Sequence, residues 1–183
     1  MKLSERLEMV LSFVEPGESA ADVGTDHGHV PVELVRRAIV KKAVAMDVRK
    51  GPLERAEEHV EEVGLSGKIE LRLSDGLAKL KAGEADTVVI AGMGGKLTCR
   101  ILEQGRHVWE NWSEGKERLI LSPQSEQDEV RHFLEEQGFL ILREAMLTDE
   151  GKYYIVIEAA RGTMRPGREQ DYRFGADLIR KKD

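Results

Sequence analysis

The 183-residue sequence predicts an open, doubly wound α/β sheet of seven strands, mostly parallel and finished by a C-terminal antiparallel hairpin strand. Three observations predict it. Five short apolar or β-branched runs alternate with segments of helical periodicity, the pattern of successive β-α units. After the fifth unit, two extended runs are joined only by Thr148-Asp-Glu-Gly-Lys152, too short for a crossover and suited to a hairpin. The unusual loops, rich in Gly and Asp, fall at the carboxyl ends of strands, where open sheets of this class bind their ligands.

In chain order, Ser4 caps a short amphipathic helix whose apolar face is Leu3, Leu7, Val10, Leu11 and Val14, and Pro16-Gly17 stops it. Ala20-Ala-Asp-Val23 is a brief strand entering Gly24-Thr-Asp-His-Gly28, after which Pro31 suits the first turn of a helix reaching about Val40. The strand Ala43–Met46 ends at Asp47, and a helix follows from about Pro52 to Val63. Ile69–Leu73 is the third strand, closed by Ser74-Asp75-Gly76, with a short helix expected next. Thr87-Val-Val-Ile-Ala91 has the β-branched continuity of a central strand covered on both faces, and it feeds Gly92-Met-Gly-Gly95 and another helix. Leu119-Ile-Leu121 leads to Ser122-Pro-Gln124, then to a helix from about Gln127 to Gln137 ended by Gly138. Phe139–Leu147 and Tyr153–Ala159 form the hairpin, Arg161–Arg168 is linker-like, and the last piece reads as helical.

A chain of this length is one domain, able to bury roughly 70% of the surface its unfolded form exposes. With 28 Lys and Arg against 34 Asp and Glu the net charge is −6, which alone argues mildly against a nucleic-acid partner. The charge is segregated, however. Residues 161–183 hold seven basic side chains against four acidic ones, and a second basic run comprises Arg36, Arg37, Lys41, Lys42, Arg49 and Lys50. Cys99 is the single cysteine, so no internal disulfide is expected, and Met1-Lys-Leu-Ser-Glu-Arg6 lacks the apolar core of a secretion signal. The longest apolar stretch, Val88–Met93, is far below a membrane span, so a cytoplasmic location is expected.

The first loop lacks the glycine spacing of the dinucleotide fingerprint, and Asp26 stands where a pyrophosphate would pass. A carboxylate there is unfavourable beside a diphosphate and favourable beside a cation, which fits S-adenosylmethionine with its sulfonium and ammonium groups. Asp47 is placed to accept hydrogen bonds from ribose hydroxyls, and Asp75-Gly76 could hold the adenine amino group. Any one of these aspartates could be a simple cap or turn residue; three at successive strand ends are harder to explain that way. The glycines of Gly92-Met-Gly-Gly95 suggest close backbone approach to a ligand. His27 and His29 with Asp22 and Asp26 raise a metal centre as a rival, but the histidines are two apart with no further ligand cluster, and no metal is expected.

Leu3-Ser-x-Arg-Leu7, Asp22-Val-Gly-Thr-Asp-His27, Ala91-Gly-Met-Gly-Gly95 and Asp149-Glu-Gly-Lys-Tyr-Tyr154 together resemble the bacterial tRNA (adenine-22-N1)-methyltransferases, the TrmK type, over roughly residues 3–160. The resemblance implies a Rossmann-like class I methyltransferase fold, with domain boundaries at 1–160 for the methyltransferase and 161–183 for a basic segment that could open a helical, coiled-coil-like domain. It implies S-adenosylmethionine held by Asp22, Gly24, Thr25, Asp26, His27, Asp47, Val48, Asp75, Gly76, Gly92, Met93 and Gly94, with Asp26 nearest the transferred methyl. Substrate contacts are expected from Ser4, Arg6, Pro123, Gln124 and Tyr153. Where the family tends to have Leu-Gln-Pro-Asn after the fifth strand, this chain has Leu121-Ser-Pro-Gln124.

Adenine N1 is already a neutral nucleophile and becomes cationic as the methyl arrives, so a nearby carboxylate stabilises the developing charge and could take up an amino proton; that is the catalytic role expected of Asp26. Enzymes that methylate exocyclic amines place an Asn/Asp-Pro-Pro-aromatic loop after the fourth strand; Ala91–Gly95 has none of those residues, which favours a ring nitrogen. N1 lies on the Watson–Crick edge, so the base must be unpaired or flipped out, and Tyr153-Tyr154 could supply stacking. RNA contacts are sought at Arg6, along Arg36–Lys42 and along the 161–182 segment. The partner expected is tRNA, with no obligate protein partner. The alternatives are another RNA, protein or small-molecule acceptor, or a non-catalytic module that binds the cofactor or a nucleotide.

Overall fold

The computed structural model describes residues 3–182, so Met1, Lys2 and Asp183, counted in the chain start and the basic terminal segment, lie outside the described residues. Seven strands form one sheet in the order β3-β2-β1-β4-β5-β7-β6, from β1 (Gly17–Val23), β2 (Val40–Asp47), β3 (Ile69–Leu73), β4 (Thr87–Ala91), β5 (Arg118–Ser122), β6 (Phe139–Asp149) and β7 (Lys152–Arg161). The mostly parallel, Rossmann-like sheet with its antiparallel hairpin is therefore present as expected. Two compact units divide the chain: one holds Val14–Val89 and Ile101–Trp112, the other the segment up to Phe13, Ile90–Arg100 and everything from Ser113 on.

In the first unit β1, β2 and β3 pair in parallel, with Ala20 opposite Ala43 and Ala43 opposite Ile69. Small side chains at Ala20, Ala21, Ala43 and Ala45 are fully buried and let α2 (His29–Arg36) and α3 (Lys50–Glu62) lie close against the strands. β1 starts at Gly17, three residues earlier than the apolar run suggests, because Asp86 Oδ2 accepts the amides of Glu18 (2.8 Å) and Ser19 (3.1 Å) and extends this polar stretch. α2 ends at Arg36 rather than near Val40: Ala38 turns left-handed (φ 55°), and Val40 is already paired with Gly17. The short helix expected after Gly76 is absent. Ser74 Oγ instead donates to the Gly76 carbonyl (2.9 Å) and accepts from the Lys79 amide (3.1 Å), holding the segment in turns. The short helix α5 (Arg106–Trp109) completes the unit with Trp109 buried and its indole N–H on the Leu102 carbonyl.

In the second unit, α1 (Glu5–Ser12) is capped by Ser4, whose Oγ accepts from the Leu7 amide at 3.3 Å, and it buries Val10 and Leu11. α4 (Gly95–Gln104) begins there. β5 and β6 both pair antiparallel with β7, and the pairing runs to Asp149↔Lys152, beyond the apolar limits of both runs. That hairpin closes on Glu150 (φ 48°) and Gly151 (φ 76°), the pair of left-handed residues a tight hairpin turn needs. α6 (Gln127–Glu136) packs Val130 and Leu134 into a core with Leu119, Ile120, Phe139 and Ile157.

The C-terminal piece forms two short helices, α7 (Glu169–Phe174) and α8 (Ala176–Lys181), broken at Gly175. Both are latched down. Arg131 and Glu144 form a buried ion pair (2.8 Å); Arg131 also donates to the Tyr172 carbonyl (2.7 Å), Asp177 accepts the Glu144 amide (2.9 Å), and Lys181 donates to the Glu144 carbonyl (3.0 Å). Gly175 lies directly over the pair: with φ 84°, a Cβ there would stand 2.6 Å from Glu144 Oε2 and 2.9 Å from Arg131 Nη2.

Candidate cofactor and substrate site

The first unit brings the acidic strand ends together. Asp22, the penultimate residue of β1, is buried, and that burial pushes its carboxyl up to about 6; the Asp47 charge adds to the rise and the Thr25 hydroxyl partly offsets it. Thr25 is buried as well, its hydroxyl shielded from solvent. Asp47 ends β2, buried, with Oδ1 accepting the Arg49 amide at 2.8 Å. Gly24 and Thr25 both donate their amides to the Met46 carbonyl (2.8 and 2.9 Å), tying the first loop to the end of β2.

Two apolar side chains stand exposed beside these carboxylates. Val48 is 61% accessible and Leu73, which faces Asp47 across the β2–β3 register, is 46% accessible. Apolar surface beside a carboxylate able to hold a diol suits a nucleoside, whose ring needs a dry face and whose ribose needs acceptors. Val48 was expected from sequence; Leu73 was not, and its only signal is an apolar residue ending a strand just before the Ser74-Asp75 turn. Asp75 is exposed and Gly76 half-buried, with φ 53°.

Asp26 is exposed, its side chain 62% accessible, and it is not alone: Arg55 of α3 approaches Oδ1 at 3.1 Å and His27 Nε2 lies 3.6 Å away. His27 and His29 stack at 5.7 Å, and His29 meets His59 edge-on at 5.2 Å. Burial, together with His59 and His27 nearby, holds His29 below the usual imidazole range. Arg55 and His59 escaped the sequence reading because α3 reads as an ordinary charged helix. Among the described residues no His, Cys, Asp and Glu side chains group as metal ligands, and no helix is long and apolar enough to cross a membrane.

The second unit contains the glycine-rich loop after β4. Gly92 donates to the Ser122 carbonyl (3.2 Å) and Gln124 to the Met93 carbonyl (2.8 Å), so the loops after β4 and β5 are stitched together. The three glycines have different reasons. A Cβ on Gly95 would collide with the carbonyl oxygens of Ser125 and Glu126, so the chain itself demands that glycine; at Gly94 it would press on the Ser125 hydroxyl at 3.0 Å. Only Gly92 faces open space, with Gln124 Nε2 3.9 Å from where its Cβ would be, and this is the position where a ligand could approach the backbone. Glu126 fills the start of α4: Oε2 accepts the amides of Gly95 (3.0 Å) and Lys96 (3.4 Å) and the Ser125 hydroxyl (2.6 Å), which holds its carboxyl below the usual range. A phosphate therefore finds that helix end taken by the chain's own anion.

Of the expected substrate contacts, Ser4 is engaged as the α1 cap, Pro123 is buried with its carbonyl accepting from Gln127, and Gln124 is exposed. Arg6 lies over the Tyr154 ring at 5.2 Å, while Tyr153, at the hairpin tip, is 70% exposed. Much of the basic charge expected to face RNA is paired. Arg36 and Arg37 share Glu33, Lys41 meets Glu18, Arg168 meets Asp171, and Arg180 and Lys181 both meet Asp177.

The fold and these strand-end carboxylates define a nucleoside-cofactor transferase, and the comparisons agree on the class: the family model described as "Methyltransferase domain" matches residues 3–157. Among curated proteins, the tRNA (adenine(22)-N(1))-methyltransferase of Bacillus subtilis (strain 168) is 38% identical over 162 residues, 88% of this chain and 66% of that protein. This chain thus spans just under two thirds of the length of that relative. Among solved structures, the B. subtilis m1A22 tRNA methyltransferase TrmK superposes with TM-score 0.91 at 34% identity, covering 100% of this chain and 78% of that one. A Streptococcus pneumoniae structure in complex with S-adenosyl-L-methionine matches with TM-score 0.90 at 40% identity, over 100% of this chain and 83% of that one. The M. capricolum TrmK complex with S-adenosyl-homocysteine matches with TM-score 0.85 at 29% identity, over 96% and 76%. The chain belongs to the TrmK-type tRNA (adenine-22-N1)-methyltransferase family.

Proposed function

We propose that this protein transfers a methyl group from S-adenosylmethionine to N1 of an adenine in tRNA, at position 22 as its relatives are named for, and that it works in the cytoplasm. The observation that carries the reading is the conjunction of buried Asp22 and Asp47 at adjacent strand ends with exposed Val48 and Leu73 beside them and exposed Asp26 ahead of them. Residues 1–160 would be the methyltransferase domain, and the basic 161–183 segment an addition to it.

In this reading Asp47 accepts the ribose hydroxyls, Val48 and Leu73 flank the adenine ring of the cofactor, Asp75 and Gly76 sit at its amino edge, and Asp22, Gly24, Thr25 and His27 line the remainder. Gly92, Met93 and Gly94 are assigned to the cofactor as well; Ser4, Arg6, Pro123, Gln124 and Tyr153 are assigned to the tRNA. S-adenosylmethionine supplies an electrophilic methyl on a sulfonium, so as the new N1–carbon bond forms the carbon–sulfur bond breaks and the positive charge passes to the adenine. The Asp26 carboxylate stabilises that cation and can accept a proton from its amino group.

The test is to incubate the protein with S-adenosylmethionine and unmodified tRNA and look for 1-methyladenosine by nucleoside mass spectrometry. Product confined to one nucleotide supports the assignment; methylation elsewhere moves it to another acceptor, and absence of any methylated nucleoside overturns it. Asp26→Ala should lower turnover on the order of 100-fold while calorimetry still shows cofactor binding.

A further inference from the structure

The acidic loop is under backbone strain that something must hold. Gly24 (φ 78°), His27 (φ 56°) and Gly28 (φ 67°) are all left-handed within five residues, and His27 pays for that conformation as a residue with a side chain. Such conformations persist only where the surroundings over-determine them. Three residues on one face of α3 supply the constraint. Ala56 lies under Gly28, its Cβ 3.2 Å from where a Gly28 side chain would begin. His59 Nδ1 is 2.8 Å from the carbonyl oxygen of His27 itself, a contact that requires the proton on Nδ1. Arg55, one turn before His59, reaches Asp26 Oδ1 at 3.1 Å through a single guanidinium nitrogen.

We propose that α3 is the fixed jaw of this loop and that Arg55 and His59 are positioning residues: His59 holds the strained His27 peptide, and Arg55 aims the Asp26 carboxylate. The inference rests on the methyltransferase reading of Asp26. Arg55 touches neither cofactor nor adenine in this scheme. It acts through Asp26 by removing the rotamers that an exposed aspartate would otherwise sample, and misplacing a catalytic group by about 1 Å costs on the order of 100-fold in rate. Asp47, which accepts the ribose in this scheme, and Asp22 beside it are set by strand ends and not by α3, so cofactor binding should be largely independent of Arg55.

The experiment compares wild type, Arg55→Met, Arg55→Lys, His59→Phe and Asp26→Ala on tRNA, measuring kcat, KM for tRNA, cofactor affinity by calorimetry and the thermal midpoint. Arg55→Met keeps the length and loses the charge; kcat should fall on the order of 10- to 100-fold, with KM and cofactor affinity within about threefold of wild type. Because the contact is a single one, Arg55→Lys should recover most of that loss. His59→Phe keeps the ring without the N–H and should also lower kcat. An exposed pair contributes little to folding, so the thermal midpoint of the Arg55 variants should stay within about 2 °C. If wild type makes no methylated nucleoside, the methyltransferase reading falls and this inference with it. If wild type is active and Asp26→Ala is not, but Arg55→Met and His59→Phe turn over normally, this inference alone is overturned. A loss that follows the thermal midpoint, or that Arg55→Lys fails to recover, makes these residues structural and overturns it too.

Discussion

Burial raises the Asp22 carboxyl to about 6, and this sets a pH window for the cofactor. Above that value the side chain is ionised at a cost: the shift from 3.8 corresponds to about 3 kcal/mol of disfavoured charge in the folded state. Because the folded chain holds this proton more tightly than the unfolded one, Asp22 lowers stability progressively as pH rises from about 4 through 6. A ligand that offers Asp22 a cation or hydroxyl donors recovers part of that cost, and only the ionised form accepts it fully. Calorimetric affinity for S-adenosylmethionine should therefore be flat above pH 7 and weaken about fivefold between pH 6 and pH 5, and Asp22→Asn should remove that slope. The site residues legible from sequence were those whose type is odd for their place, such as aspartates closing successive strands. Arg55, His59 and Leu73 were not legible, because an arginine and a histidine on a charged helix, or a leucine ending a strand, acquire meaning only from what the fold sets beside them. Gly95 was misread for the opposite reason: its glycine is demanded by the Ser125 and Glu126 carbonyls, a contact 30 residues away that no local pattern reports.

Among the elements, those with a strong period or a strong stop were legible: α3, though it starts at Lys50 and not at Pro52, α6 ended by Gly138, and β4 with its β-branched run. Boundaries decided by polar groups were not. β1 begins early because of Asp86, and the Ser74 hydroxyl replaces an expected helix with turns. The terminal helices α7 and α8 are individually too short to persist on local propensity. Their anchor is the buried Arg131–Glu144 pair, in which burial raises the Glu144 carboxyl while Arg131 opposes the rise. Arg131→Met should cost about 3–5 kcal/mol, since it strands Glu144 in a dry site and frees the Tyr172 carbonyl. Arg131→Met combined with Glu144→Leu should recover most of it, as apolar replacements of buried pairs often do. Denaturant unfolding of the three variants decides the point: if the double variant is as weak as the single one, the latch depends on charge and not on filling the space.

At the scale of the whole molecule, the net charge of −6 conceals extensive internal neutralisation. About half of the basic side chains that looked available to RNA in the sequence are met by carboxylates, because i,i+3 and i,i+4 partners and neighbouring strands cannot be counted from a charge total. The mostly parallel sheet and the hairpin were legible, since alternation and turn length determine them; the pairing of charges was not. That pairing has a measurable consequence in acid. Arg72 holds Glu84 at about 2 and also lowers Glu70, while Lys181, the Glu144 amide and Arg180 hold Asp177 at about 2 against its burial. Carboxyls depressed in the folded state contribute stability that is complete above their unfolded values near 4 and is lost as pH falls through the folded values near 2. Urea midpoints should therefore drop steeply between pH 4 and pH 2. Arg72→Met should lie below wild type throughout neutral pH, then approach it as pH falls to 2 and below, where Glu84 becomes protonated in both and the lost pair no longer matters. Curves that stay parallel down to pH 2 would show that Arg72 stabilises through its methylene packing and its bond to the Lys79 carbonyl instead of through the two glutamates.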